Sequence, residues 1–320
     1  MSQYGKNLAD ALDEAREIRR ICDKRFGKGR AELDELVRSN ARGIVFYGRF
    51  RGQEAVFKLM RDPTAESVAP LHGVREILER YEAAFAGLPF HVNPFLGAVP
   101  WKGLIILGRV PGHAVAEIFE EGDAERGRQA TRALCGWLDA ARVLGDEVVE
   151  FNPGFLLGEA ARFDLDPLPE ADARLLRANL AALEGYGRAI QGQPMRRSVG
   201  HSDCHSGNFH LTDEGALWAF DLQDTARMPL ARMAAKFIGL KLWKLDSEGP
   251  YDGGALASDM QILREHLPLA SGEGEGPLRF FLGYEILNGF VRNARRKWSP
   301  TNRQACLEAM LSGLTRKEGI

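Results

Sequence analysis

Residues 198–224 read SVGHSDCHSGNFHLTDEGALWAFDLQD, and the fold turns on how this stretch is laid out. Apolar, β-favouring residues flank Asp213-Glu214-Gly215, a turn signal, so 208–211 and 217–220 read as the arms of a hairpin. His201-Ser202-Asp203 leads into the first arm, Asn208 opens it, and Asp221 ends the second. Such a hairpin brings Asp203, Asn208 and Asp221 to one end. A carboxylate at Asp203 can orient an attacking hydroxyl and accept its proton. Asn208 offers a neutral oxygen and Asp221 a charged one, both hard ligands suited to Mg²⁺. A metal held there bridges phosphates and neutralises charge as it develops, which is the chemistry of phosphoryl transfer.

Two plainer readings compete. Asp and Asn are common turn and cap residues, and the trio then does no chemistry. The run also contains His201, Asp203, Cys204, His205 and His210, the residue types of a transition-metal site. With the loop and strand formed as described those side chains diverge, and no second His/Asp cluster upstream completes the ligand set.

The motif resembles the aminoglycoside phosphotransferase and choline kinase family, relatives of the protein kinases. The catalytic loop of that family reads His-x-Asp-x-x-x-x-Asn, and a hydrophobic strand ending in a metal-binding Asp follows. His201, Asp203, Asn208 and Asp221 match residue for residue, and Ser206-Gly207 stands where the family has Pro-Gly. The resemblance implies an α+β, two-lobed, protein-kinase-like fold. Residues 1–109 would form a small β-rich nucleotide-binding lobe, and 110–320 a helical lobe with the catalytic loop and the acceptor site. It also implies ATP and Mg²⁺ as cofactors, Asp203 as catalytic base, Asn208 and Asp221 as metal ligands, and His201 as a structural residue of the loop.

Working outward, the rest of the chain fits that plan. In 7–25, Leu8, Leu12, Ala15, Ile18 and Cys22 recur at helical spacing, an amphipathic helix broken by Gly27. From Ile44 two β-rich runs flank Arg51-Gly52 and read as a second hairpin, with an optional earlier strand at 33–37 that could equally extend a helix. Helical spacing returns at 73–86, and strands follow near 95–99 and 104–109, where Val110-Pro111-Gly112 breaks the chain. Beyond that point the texture is mainly helical, over 124–144, 170–191, 230–245, 255–267, 277–297 and 302–315. The connector 166–169 is Pro-rich, and 272–276, Gly-Glu-Gly-Glu-Gly, reads as a flexible acidic loop.

Nucleotide phosphates require a cation on the small lobe. Lys58 sits mid-strand among apolar residues, where a lysine needs a partner, and the resemblance places its phosphate-binding lysine there. The partner is sought on the next helix. Arg75-Glu76 matches the family, yet Glu76 falls opposite the Val74/Leu78/Tyr81 stripe, so Glu79 and Glu82 remain candidates. Ser39 and Asn40, in the polar loop 39–43, are assigned to a phosphate cradle of backbone N–H groups. The adenine is assigned to Arg109 and Val110, with 104–107 as its apolar wall.

Some positions depart from the family. Gln223 then Asp224 replace an acidic residue two places after the metal Asp, and Arg232 stands where an Asp commonly follows the downstream proline. The run Asp221 to Arg227 is also similar to the lipopolysaccharide-core and Kdo kinases. A slight basic surplus over 225–320 favours an anionic sugar over a polycationic aminoglycoside, although Arg295-Arg296-Lys297 also reads as a solvated helix end. The expected activity is transfer of the ATP γ-phosphate to a hydroxyl of a sugar, amino alcohol or glycoside. Its rivals are a kinase of lipopolysaccharide core sugars or other macromolecules, and a pseudokinase or nucleotide-binding scaffold.

Bulk properties agree with a soluble enzyme: 320 residues, 45% hydrophobic, 27% charged, net charge -2. That balance argues against a nucleic-acid partner, which demands a basic surplus. Cys22, Cys135, Cys204 and Cys306 lack CxxC spacing and read as free thiols in a reducing compartment. With no apolar run long enough to span a bilayer and no signal-peptide pattern, the expectation is a cytoplasmic protein.

Overall fold

A computed structural model describes residues 3–165, 168–222, 226–239, 241, 250–293 and 300–315. Asp166 and Pro167 of the connector, Gln223, Asp224, and Arg295-Arg296-Lys297 lie outside the described residues. In chain order the elements begin α1 (Gln3–Phe26), β1 (Ala31–Asn40), β2 (Gly43–Phe50), β3 (Gln53–Met60), α2 (Ala65–Val68) and α3 (Val74–Ala84). Next come β4 (Phe90–Val92), β5 (Phe95–Val99), β6 (Leu104–Gly108), β7 (His113–Ala114), α4 (Val115–Glu121) and α5 (Ala124–Ala141). They continue with β8 (Glu147–Glu150), α6 (Gly154–Ala160), α7 (Glu170–Ala189), β9 (Pro194–Val199), β10 (Phe209–Leu211) and β11 (Leu217–Ala219). The chain closes with β12 (Arg227–Pro229), α8 (Leu230–Gly239), β13 (Tyr251–Asp252), β14 (Ala255–Leu256), α9 (Ala257–His266), α10 (Gly276–Asn293) and α11 (Pro300–Thr315).

The fold is mixed α+β, and contacts divide it into two compact units. The first comprises residues 1–83, 92–111 and 220–224; the second comprises 84–91, 112–219 and 225–320. In the first, an antiparallel sheet of order β1-β2-β3-β6-β5 packs with α1 around one apolar core. The buried side of α1 is Ala11, Ala15, Ile18, Ile21 and Cys22, whereas Leu12 is exposed, so the helix is rotated slightly from the expected stripe. Strand β2 turns into β3 at Arg51 and Gly52, whose φ values of 53° and 82° make the mirror-image turn that suits strand twist. The optional early strand exists and is long. β1 runs from Ala31 to Asn40 with two register shifts against β2, and most of its side chains are exposed.

The second unit is mainly helical. Its core holds an aromatic cluster in which Trp137 of α5 and Phe237 of α8 both meet Phe209 of β10 edge-on, at 5.9 and 5.3 Å between ring centres. Phe119 of α4 packs on Phe237, and α8 lies against α10. The expected hairpin forms: Phe209 pairs with Ala219 and Leu211 with Leu217, within a sheet of order β4-β11-β10-β7. A second sheet of order β12-β9-β8 leads into the loop that precedes it.

Two polar features lie deep in this unit. Lys241 pairs with Asp259 of α9 at 2.9 Å, the side chains 4% and 1% exposed, and Thr131 of α5 approaches the same carboxylate at 3.1 Å. The second corrects an expectation, for 272–276 is not a free acidic loop. Glu273 is buried, and one of its oxygens accepts the backbone N–H groups of Ala270 (2.7 Å) and Arg196 (2.9 Å). Glu275 pairs with Arg264 and Arg279. Gly272 and Gly274, both at positive φ, let the chain turn tightly while Glu273 faces inward.

Burial pushes the Glu273 carboxyl above its ordinary 4.5. The native state therefore holds a proton that the unfolded chain releases first, and this contribution to stability is lost as pH rises through the native value. Glu273→Gln keeps an oxygen for both N–H groups without a charge. Urea unfolding from about pH 4 to pH 8 should show the variant gaining on the wild type as pH rises, then levelling. A gap that moves the other way refutes the burial argument.

Candidate active site

Strand β9 enters the loop through Gly200, whose N–H donates to Ala226 O at 3.2 Å. A Cβ at Gly200 would stand 2.4 Å from Met233 Sδ, so a larger residue here would push the Met233 side chain aside. The loop then closes on itself. Cys204 N donates to His201 O (3.1 Å), His205 N to Asp203 O (2.8 Å), and Asn208 N to His205 O (2.9 Å). His201 is buried, its ring 5.6 Å from Phe209. Cys204 is fully buried, and burial pushes its thiol far above the ordinary value.

Asp203 remains half exposed at the surface of this loop, its side chain 54% accessible. Asn208 Nδ2 donates to the Asp203 carbonyl at 2.9 Å and to Oδ2 at 3.3 Å. With its NH₂ so used, Asn208 has only its amide oxygen left to offer a ligand. His205 Nδ1 accepts from Gly207 N (3.0 Å), which leaves Nε2 as the donor that lies 3.3 Å from Asp203 Oδ2. Lys236 of α8 donates to Asp203 Oδ1 at 2.7 Å and to Ser202 O at 3.2 Å. The His205 bond first, and the Lys236 ammonium with it, hold the Asp203 carboxyl well below the usual carboxylate range against its partial burial. An ionised, oriented acceptor results, rather than a strong base.

In the first unit, Lys58 pairs across β3 with Val45 and Ile105, and its ammonium reaches Asp221 Oδ1 at 2.8 Å. Asp221 has φ 67°, a left-handed conformation uncommon outside glycine, two residues beyond the end of β11. The carboxylate on Lys58 is thus Asp221 and none of the three glutamates proposed from sequence. Glu76, Glu79 and Glu82 lie on the exposed side of α3, opposite buried Val74, Ile77, Leu78 and Tyr81, and Glu79 is taken by Arg75 at 2.7 Å.

Ser39 and Asn40 end β1, paired with Ile44 and Gly43, and a two-residue turn replaces the longer loop expected. Asn40 Oδ1 accepts from the N–H groups of Arg42 (2.9 Å) and Gly43 (3.2 Å), and Ser39 Oγ accepts from Arg61 (2.8 Å). These groups are occupied in closing the hairpin. Arg109 stacks over Tyr47 at 4.4 Å and its N–H donates to Glu54 O; Val110 follows, half-buried, after the fully buried β6. Among the described residues no three His, Cys, Asp or Glu side chains converge as a metal-ligand group, which leaves the transition-metal alternative without a site.

Sequence reasoning missed Lys236 and read His205 only as a metal candidate. A signal was present, since Lys236 is a cation in an otherwise apolar helix, LARMAAKFIG. Arg232, one turn earlier, pairs with Glu285 at 3.5 Å.

No protein-family model matches the sequence, and no curated protein matches it. Solved structures do. Choline kinase LicA from Streptococcus pneumoniae superposes with a TM-score of 0.55 at 11% identity, covering 94% of this chain and 99% of its own. Aminoglycoside phosphotransferase APH(4)-Ia gives 0.56 at 16% identity, over 93% and 100%. The fold is that of the choline kinases and aminoglycoside phosphotransferases. A third structure with this phosphotransferase fold, spectinomycin phosphotransferase APH(9)-Ia with ADP and spectinomycin, gives 0.51 at 11% identity over 93% of each chain. Among the described residues no helix is long and apolar enough to cross a membrane.

Proposed function

We propose that the protein transfers the γ-phosphoryl group of ATP, with Mg²⁺, onto a hydroxyl of a small molecule. The observation that carries this reading is the Asp203 carboxylate, ionised and clamped by Asn208, His205 and Lys236 on a self-closed loop. Phosphoryl transfer asks the protein for positioning and charge stabilisation more than for a strong base, and this arrangement supplies both. The fold supports the same reading, since structures that share it include APH(4)-Ia with AMP-PNP and hygromycin B.

Asp203 receives the acceptor hydroxyl. Lys58 holds nucleotide phosphates, and Arg109 and Val110 border the base. The donors fit Mg²⁺: Asn208 has only its amide oxygen to offer, Asp221 is a carboxylate, and Mg²⁺ takes few protein oxygens beside water and phosphate. When bound, the metal neutralises charge on the transferring group. Lys58 lies 2.8 Å from the same Asp221 carboxylate.

The test needs no knowledge of the acceptor. MgATP should raise Tm, by about 2.7 kcal/mol of stabilisation at a hundredfold excess over Kd, and Asp221→Ala should abolish the rise. ADP release should follow on addition of the right compound from a panel of hydroxylated metabolites. No thermal shift and no ADP release would sink the proposal; a shift without turnover on any acceptor would favour a nucleotide-binding scaffold.

A further inference from the structure

A carboxylate offers roughly four lone-pair directions, and the three donors on Asp203 are unevenly shared. Asn208 Nδ2 and His205 Nε2 both converge on Oδ2, each at 3.3 Å, and fill it. Among the described residues Oδ1 receives Lys236 alone, at 2.7 Å, and keeps one direction open on a carboxylate that is still half exposed. The geometry points to Oδ1 as the atom that receives the acceptor hydroxyl, and to Lys236 as the positioning residue beside it, a cation next to the oxygen on which the phosphoryl group lands. This rests on the phosphotransfer reading above.

The lysine is not a loose surface charge. Its helix is pinned by buried Met233 and Phe237, with Met233 seated on Gly200 of the loop. An ammonium has three protons. Two reach Ser202 O and Asp203 Oδ1, and the third has no acceptor among the described residues, while the side chain stays 28% exposed. A neutral donor would hold the loop as well. A cation adds something only when an anion arrives, because phosphoryl oxygens are repelled by Asp203 and attracted by Lys236. Arg232, the other cation on this side of α8, is already committed to Glu285.

In the step itself the hydroxyl oxygen forms its bond to the γ-phosphorus as the bond from phosphorus to the bridging oxygen breaks. The bonding pair leaves with the nucleoside diphosphate, and the hydroxyl proton passes to Asp203 Oδ1. Lys236 keeps the carboxylate plane fixed and offers its third N–H to the transferred group.

Steady-state ADP release from MgATP, with water or a hydroxylated acceptor, tests this in Lys236→Met, Lys236→Gln and Lys236→Arg. Lys236→Met should lower kcat about 10²–10³-fold with KM for MgATP within about threefold. Lys236→Gln, a neutral donor, should lose nearly as much, and Lys236→Arg should recover at least about tenfold of the loss. If Lys236→Met has no melting transition, Gln against Arg decides alone. Near-wild-type kcat in Lys236→Gln, a loss confined to KM, or equal loss in Arg and Gln would each overturn the role of Lys236. An inert wild type removes the phosphotransfer reading and this inference together, whereas an active wild type with an equally active Lys236→Met removes only the inference.

Discussion

Asp203→Ala is expected to lower kcat for phosphoryl transfer about 10²–10⁴-fold while leaving the MgATP-induced rise in Tm in place. The reason is the division of labour between the residues. Lys58 and Asp221 pair with one another in the first unit, and Asp203 belongs to the loop of the second. Removing the Asp203 carboxylate deletes the acceptor of the hydroxyl proton and frees Lys236, His205 and Asn208 from their common partner. The unpaired Lys236 ammonium then attracts phosphate, so nucleotide affinity should be equal or greater. The loop should survive, since its backbone bonds and the Asn208 bond to the Asp203 carbonyl do not involve the missing carboxylate. Full turnover in the variant would remove Asp203 from the chemistry. Loss of nucleotide binding together with turnover would show that it supports the loop instead.

Asp259→Ala is expected to destabilise the protein by about 3–5 kcal/mol, roughly a 10 °C fall in Tm. Lys241 and Asp259 are 4% and 1% exposed, and the ammonium sits 4.9 Å from the Phe119 ring and close to Gly127. Deleting the carboxylate leaves a buried ammonium without its ion-pair partner. The pair need not be favourable relative to an apolar one, because desolvating both ions costs several kcal/mol. The double replacement Lys241→Met with Asp259→Leu should therefore recover most of the loss. Denaturant titration of the three variants checks this, and a single variant within about 1 kcal/mol of wild type would refute the buried pair.

The comparison of sequence with structure divides along physical lines. Elements with strong periodicity were legible, as in α3, whose stripe Val74, Leu78 and Tyr81 is buried as its spacing requires. Hairpins announced by Arg51-Gly52 and Asp213-Glu214-Gly215 were legible for the same reason, since turn chemistry is local. β1 was ambiguous because Leu33, Leu36 and Val37 suit either period, and the strand exists because β2 pairs with it. The acidic loop was misread because composition does not show which way a carboxylate points. Glu273 faces inward only because β9 presents the N–H of Arg196 from 77 residues away.

By itself the sequence determined the α+β plan, the hairpin that follows Asn208, and the loop that carries Asp203, since all of these are set by contacts within a few residues. Only the tertiary structure decided the partners. Lys58 meets Asp221 across 163 residues, and Lys236 meets Asp203 across 33. An ion pair follows from where two backbones pass in space, and periodicity, which reports only the face a residue occupies, carries no information about what stands opposite that face.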